Sequence, residues 1–541
     1  MNKIIPLIII SILCSYPTYD FHIHNVQTNL KRSNGNFPDS NGIIDIESNT
    51  GSEYIWMSTG AGLGRIDIGS DFIFDGVDDS NLPVGGNPAL FIEDNIILVS
   101  GVTSEYVAAL ESYKPKGTGI GYSLDSGFSW LYMPQPICDD CTSIPWGTQD
   151  LNALAVTTDI NNVSYDLGLK DNFIYAASWA GGLRRFDYTL DNPDWEIIPL
   201  PLDSSSYLYC NIDIDCNEET QNTVENCNLI DVNNYELNPR DPEDGGHHNH
   251  KAFSVLGTEN FLWVGTAYGI NRGIINDDCI NWEHQTTLSG NGLSGNWIVG
   301  IEEQLFDSFN RVWAITWVAD QGELNSIGYT DDYGQNWNDI KYFSDQNIKI
   351  YNLDFNGDMV YAASEEGLFY SSDLVHWEKI NRNWKDSNTG DVILDNTVYS
   401  VLSKDDLFIG TGDGIIHRNS ISNNNTIYRF WNNSAKSNSE DLGFSVYPNP
   451  FFISRDGLLN GEGHVRFIYS SSQSSKFSEI NIYDFAMNPI ASLSDEIQIG
   501  DEAVVIWDGR SDSGNRVVNG TYFCKLTVGD KSYWTKLLVI Y

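Results

Sequence analysis

The chain is poor in positive charge. Across 541 residues, 30 Lys and Arg stand against 74 Asp and Glu, a formal net charge of −44. Nucleic acid binding needs clustered basic side chains, so nucleic acid is excluded as a partner and an anionic membrane surface is disfavoured. The imbalance is uneven: from Leu442 onward 11 acids meet 8 bases, and the remainder carries a net −41. Such a surface suits solubility in a salty exterior, where screening beyond about 10 Å tolerates the repulsion. Long apolar runs are also missing. Residues 4–13 form a run of ten, well short of the ~20 that cross a bilayer. No stretch after the N-terminus keeps a helical period, which excludes a helical bundle. There is no G-x-S-x-G, no H-E-x-x-H and no phosphate-binding loop.

What is present starts with a secretory pattern. Lys3 precedes the apolar run, as in a signal peptide over residues 1–19. Cleavage is expected between Cys14 and Asp20. Cys14 hints at a lipid-attachment site, but Leu13 stands where a small residue is needed. Seven cysteines then remain. Cys524 lies in an alternating strand and reads as a free core thiol. Cys138, Cys141, Cys210, Cys216, Cys227 and Cys279 fall in or near two insertions. In an exported chain, disulfides pinning those loops are favoured over metal.

Two octapeptides share one pattern, S/T-x-D-x-G-x-x-W: Ser123-Leu-Asp125-Ser-Gly127-Phe-Ser-Trp130 and Thr330-Asp-Asp332-Tyr-Gly334-Gln-Asn-Trp337. The hydroxyl and carboxylate tie a tight turn to its own backbone, Gly takes the positive φ, and Trp buries a ring as the return strand starts. Ser371-Ser-Asp373-Leu-Val-His-Trp377 is a shorter relative. Apolar strands ending in small residues and Gly recur as well. The copies anchored on Trp263, Trp313, Tyr361 and Phe408 are spaced 50, 48 and 47 residues apart, a period that suits four-stranded propeller blades. Counting anchors gives seven blades; six or eight stay open. The insertions lie at about 134–150 and 203–250, and residues 21–26 could join the last blade to close the ring.

Residues of about 40–430 resemble the Asp-box (BNR-repeat) propellers, among them sialidases, xyloglucanases, sortilin-type receptors and photosystem assembly factors. The segment from Leu293 to Trp313 also resembles propeller repeats of two-component sensor ectodomains. The resemblance implies the fold far more than a function. After a polar linker at 432–441, residues 442–541 resemble the FlgD-type Ig-like domain and the sorting domains of type IX secretion cargo. The likeness rests on Tyr447-Pro-Asn-Pro450, Trp507-Asp-Gly509, Gly520-Thr-Tyr522 and the last strand from Lys536 to Tyr541. No basic residue follows Lys536, a departure from many such tails. The expected fold is all-β: a seven-bladed β-propeller over residues 20–431, then a small Ig-like β-sandwich.

Blade geometry sorts the loops. Those before the first strand and between the second and third share one face, and the octapeptide turns lie on the opposite rim. Candidate ligand-binding residues on the first face are Trp146, Trp179, His247, His248, His250, Tyr268 and Trp317. Their rings could stack on sugars or peptide side chains, and the histidines could hold a metal. Asp213, Asp215, Asn217 and Glu219 alternate as calcium ligands do, without the Gly and Glu of an EF-hand loop. Sialidase chemistry is not expected, because the Arg-Ile-Pro signature and an arginine triad are missing. The expected function is an exported, non-enzymatic bacterial protein, secreted or on the outer surface. It would bind a glycan or protein ligand, and its C-terminal domain would engage secretion machinery. The alternative is a polysaccharide-cleaving hydrolase of the xyloglucanase-like propeller type, which needs two facing carboxylates.

Overall fold

The computed structural model describes residues 40–541 except 50, 70–72, 148, 211–234, 240–245, 277–278, 320–322, 381–383, 430–443, 455–462, 471–476 and 497–501. The signal-peptide residues, the segment 21–26, the linker, Cys216, Cys227 and the proposed calcium ligands Asp213, Asp215, Asn217 and Glu219 lie outside the described residues.

Seven antiparallel sheets follow one another along the described chain, each built on a meander of four strands in sequence order, with Tyr207–Leu208 of the second insertion added as a fifth strand at the outer edge of the fourth. Their first strands are Ile43–Glu47, Leu90–Glu93, Ser164–Lys170, Ala252–Gly257, Trp297–Leu305, Ile350–Asn356 and Val398–Ser403. Each touches the next, and the seventh closes on the first. The arrangement is a β-propeller with the first strands around a central channel. No helix among the described residues is long and apolar enough to cross a membrane.

Period-two patterning explains the packing. Ile46, Leu167, Val255, Ile301, Leu353 and Val401 occupy matching positions in six of the first strands and are all buried. They wedge between neighbouring sheets, as alternate residues of a two-sided strand must. Just upstream, six first strands carry a register shift, leaving Ile44, Tyr165, Phe253, Val299, Tyr351 and Tyr399 as the extra residue. A bulge of this kind re-aims a side chain and bends the strand.

The turns repeat too. Thr59, Thr266, Ser364 and Thr411 end second strands. Each hydroxyl donates to the carbonyl of the Gly three residues on and accepts the N–H two residues on. Those glycines, Gly62, Gly269, Gly367 and Gly414, have φ of 122°, 112°, 128° and 130°, a region that side chains rarely adopt.

The two octapeptides fold alike. Ser123 and Thr330 hydroxyls donate to Asp125 and Asp332 at 2.8 Å and accept Gly127 and Gly334 N–H at 2.8 Å. The carboxylates then accept the N–H of Ser129 and Asn336, and Trp130 and Trp337 are buried. Ser371 and Asp373 reproduce the pattern in the shorter relative, closing on Leu374 and His376 N–H. Thr330→Val keeps the volume and strands the Gly334 N–H, so it is expected to cost about 1–3 kcal/mol, read as a lower midpoint in denaturant unfolding.

Both insertions contribute to one small sheet. Ser143–Trp146 pairs antiparallel with Gln149–Ala153, which pairs parallel with Glu236–Leu237. Cys210–Cys279 ties the second insertion to sheet four, and Cys138–Cys141 closes a short loop of the first. The C-terminal residues form a three-stranded and a five-stranded sheet sharing one core around Phe451, Phe467, Trp507, Tyr522 and Leu537. Cys524 sits inside it as a free thiol, pushed up to about 12 by burial.

Candidate functional site: the loop face and the channel

Hydrogen bonds fix which turns share a face. Turns after second strands bond to segments preceding first strands: Gly60 N–H to Gly42, Ala180 to Asn161, Ala267 to Lys251, Glu365 to Lys349. On the other rim, Ser126 of the first octapeptide bonds to Asn95 in the turn after a first strand. The octapeptides therefore stand on the rim opposite the turns that follow second strands.

On the face of the turns after second strands an aromatic cluster spans sheets three to five. Trp179 packs against Phe253 and Trp297 with ring centroids 5.4 and 5.9 Å away, and Phe253 meets Trp297 at 5.4 Å and Tyr165 at 6.1 Å. Lys251 sets its Nζ 5.0 Å from the Trp179 centroid, a cation–π contact. Beside it, Tyr268 lies between His248 and His284, at 6.2 and 5.9 Å. A second group joins Trp317, Tyr351 and Tyr399, with centroids 5.6 and 5.1 Å apart.

Several sequence-derived candidates need correction. Trp146 does not line the face: it is buried in the core shared by the insertion sheet and sheets three and four. Trp317 is buried as well, donating its indole N–H to Ile350 O at 2.6 Å. It is inter-sheet packing, capped by Lys349 Nζ 4.1 Å from its ring. His250 is enclosed, with Nε2 at 2.9 Å from Ala180 O, and burial lowers it to about 3. It is a neutral latch between sheets three and four. His247 Nδ1 accepts the Asn238 N–H, and the backbone N–H of His248 donates to Asp203. The imidazoles do not converge on a metal. Among the described residues, the one group of three potential ligands with mutual metal-site spacing is Cys138, Asp140 and Cys141, whose sulfurs are joined in a disulfide. Trp179, His247, His248 and Tyr268 remain partly exposed on the expected face.

Beneath the aromatic tier lies what sequence reading missed. Asp45, Glu47, Asp166, Glu302 and Asp354 come from the first strands of sheets one, three, five and six. Each is partly open to the lumen yet walled in by the ring. The strand registers set Asp45, Asp166 and Asn352 in one tier and Glu47, Glu302 and Asp354 in the tier below. Asn352 Nδ2 reaches Asp45 Oδ1 at 3.5 Å, from sheet six to sheet one past sheet seven, so these side chains meet at the axis. Asp166 accepts Val255 N–H at 2.9 Å and Asp354 accepts Ser403 N–H, so each also clasps the following sheet. Burial pushes Asp45 up to about 6 and Asp166 and Asp354 up to about 7. Glu47 and Glu302 stand well above the usual range, through burial and then mutual repulsion. A column reading of the aligned first strands would have shown both the acids and the bulge aromatics.

No family model matches the chain, and no curated protein does. Solved structures do. One is reported as PorZ, an essential bacterial surface component of the type-IX secretion system of Porphyromonas gingivalis. It has 12% identity and a TM-score of 0.35, with 92% of this chain covering 66% of that one. YCF48 from Cyanidioschyzon merolae matches at 12% identity and TM-score 0.37, over 70% of this chain and 95% of that one. YCF48 bound to D1 peptide matches at 14% identity and TM-score 0.34, over 70% and 93%.

Proposed function

We propose that this chain is an exported Asp-box propeller of seven blades that binds a glycan or protein ligand at the mouth of its channel. Its Ig-like C-terminal domain serves type IX secretion or surface attachment. The observation that carries the binding reading is the partly exposed set Trp179, Tyr268 and His248 at the mouth, with Trp179 backed by the buried rings of Tyr165, Phe253 and Trp297 and by Lys251. Faces of this composition stack on sugar rings and on planar or aliphatic side chains. Two disulfides in the insertions fit an oxidising exterior.

A hydrolase is the second reading, favoured by one observation. Two carboxyls at about 7, Asp166 and Asp354, lie in the first and second tiers below the aromatic tier, and a general acid needs a proton near neutrality. Glycan and peptide arrays probed with the full chain, paired with a reducing-sugar release assay on each glycan hit, separate the two. Binding without release is the expected result. Release that Asp166→Asn abolishes would establish the hydrolase instead.

A further inference from the structure

The axis of the ring holds five carboxyl groups that interact with one another, and among the described residues no cation occupies their register positions on the first strands. At the matching register positions the first strands of sheets two, four and seven carry Leu90 and Ile92, Ser254 and Leu256, and Ser400 and Leu402, all uncharged. Charged groups further along the ring are mostly acidic: Glu93, Glu259 and Glu303, with Lys170, interact near the lower end. Lys404 is bound by Ser48 Oγ and the carbonyls of Asn49 and Ser52, at 2.9, 3.1 and 2.6 Å. Lys251 and Lys349 sit over tryptophan rings at the mouth. When all five acids ionise, the ring closes around repelling charge in a confined, poorly solvated space.

We propose that this stack of carboxyls makes ring closure acid-favoured, so the propeller tightens on mild acidification and loosens as the medium turns alkaline. The direction follows from linkage. These groups bind protons more strongly folded than unfolded, where they return to about 4. Between about pH 4 and pH 7 the folded state therefore holds more protons, and stability falls as pH rises. The effect reaches across sheets because Asp166 and Asp354 also clasp sheets four and seven.

The test is thermal unfolding of the full chain from about pH 5 to pH 8, at fixed ionic strength. The wild type should lose about 4 °C or more in Tm over that range. Glu302→Gln with Asp354→Asn, amides that mimic the protonated acids, should raise Tm at pH 8 and flatten the profile. Asp191→Asn with Asp194→Asn, which remove two exposed charges, should leave the slope in place and so separate the channel from general surface repulsion. A channel variant that keeps the wild-type slope, or a wild type more stable at pH 8, overturns the proposal. Should the channel pair fail to fold, infrared spectra of the wild type decide. A protonated-carboxyl band at pH 6 supports the proposal, and its absence overturns it.

Discussion

Arg466→Ala is expected to cost about 3–5 kcal/mol of docking free energy and to split one unfolding transition into two. Arg466 belongs to the C-terminal sandwich, in the strand Val465–Ser470. It enters a buried cluster made by the seventh sheet and the segment before it. Its guanidinium bonds Asp413, in the turn after that sheet's second strand, reaches Val392 O at 3.3 Å, and lies 3.5 Å from Asp391. Arg429, fully buried, bridges the same two acids. Burial opposes ionisation of Asp413, but Arg429 and then Arg466 hold its carboxyl below the ordinary range. Two arginines against two aspartates balance, so removing one leaves buried charge uncompensated. Asp413 lies on the face of the turns after second strands, so the sandwich is fixed to that face beside sheet seven. Calorimetry is the check, and a single unchanged transition would show that docking does not depend on the cluster. A depressed acid stabilises above its unfolded value near 4, and that contribution is lost as pH falls below it. Docking therefore fails in strong acid, beneath the window in which the channel tightens.

Trp313→Ala is expected to cost about 3–5 kcal/mol. The ring is fully buried in sheet five, 5.1 Å from Tyr329 and 5.9 Å from Phe355 of sheet six. Its indole donates to Gln304 Oε1 at 3.1 Å, and Gln304 Nε2 donates to Gly357 O at 2.7 Å. Alanine opens a cavity between two sheets and deprives a buried amide of its donor. Trp313→Phe, which keeps most of the volume, should cost clearly less, measured as the shift in denaturant midpoint. Equal losses would place the energy in the hydrogen bond rather than in the packing.

The repeat was legible because its signals are local. Ser123, Asp125 and Gly127 specify one turn among themselves, and the Gly at the end of each second-strand turn follows from a backbone conformation. The site was only half legible. Trp179 and Tyr268 stand on the expected face because their turns could be placed by counting strands. Trp146 and Trp317 misled, since a large ring at a loop edge looks the same in sequence whether it faces solvent or packs inward. His250 misled for the same reason. The channel acids were hidden because Asp45 and Asp354 are some three hundred residues apart and become neighbours only when the ring closes. The partnership of Arg466 with Asp413 likewise exists only after two domains have docked.

The central claim is that the ligand is taken at the loop face and not at the octapeptide rim. Titration of the strongest array ligand against two paired variants tests it. Trp179→Ala with Tyr268→Ala should weaken binding by at least about tenfold. Phe128→Ala with Tyr333→Ala, which removes the exposed rings of the opposite rim, should leave the affinity unchanged. Loss of binding in the rim pair with none in the face pair would contradict the account.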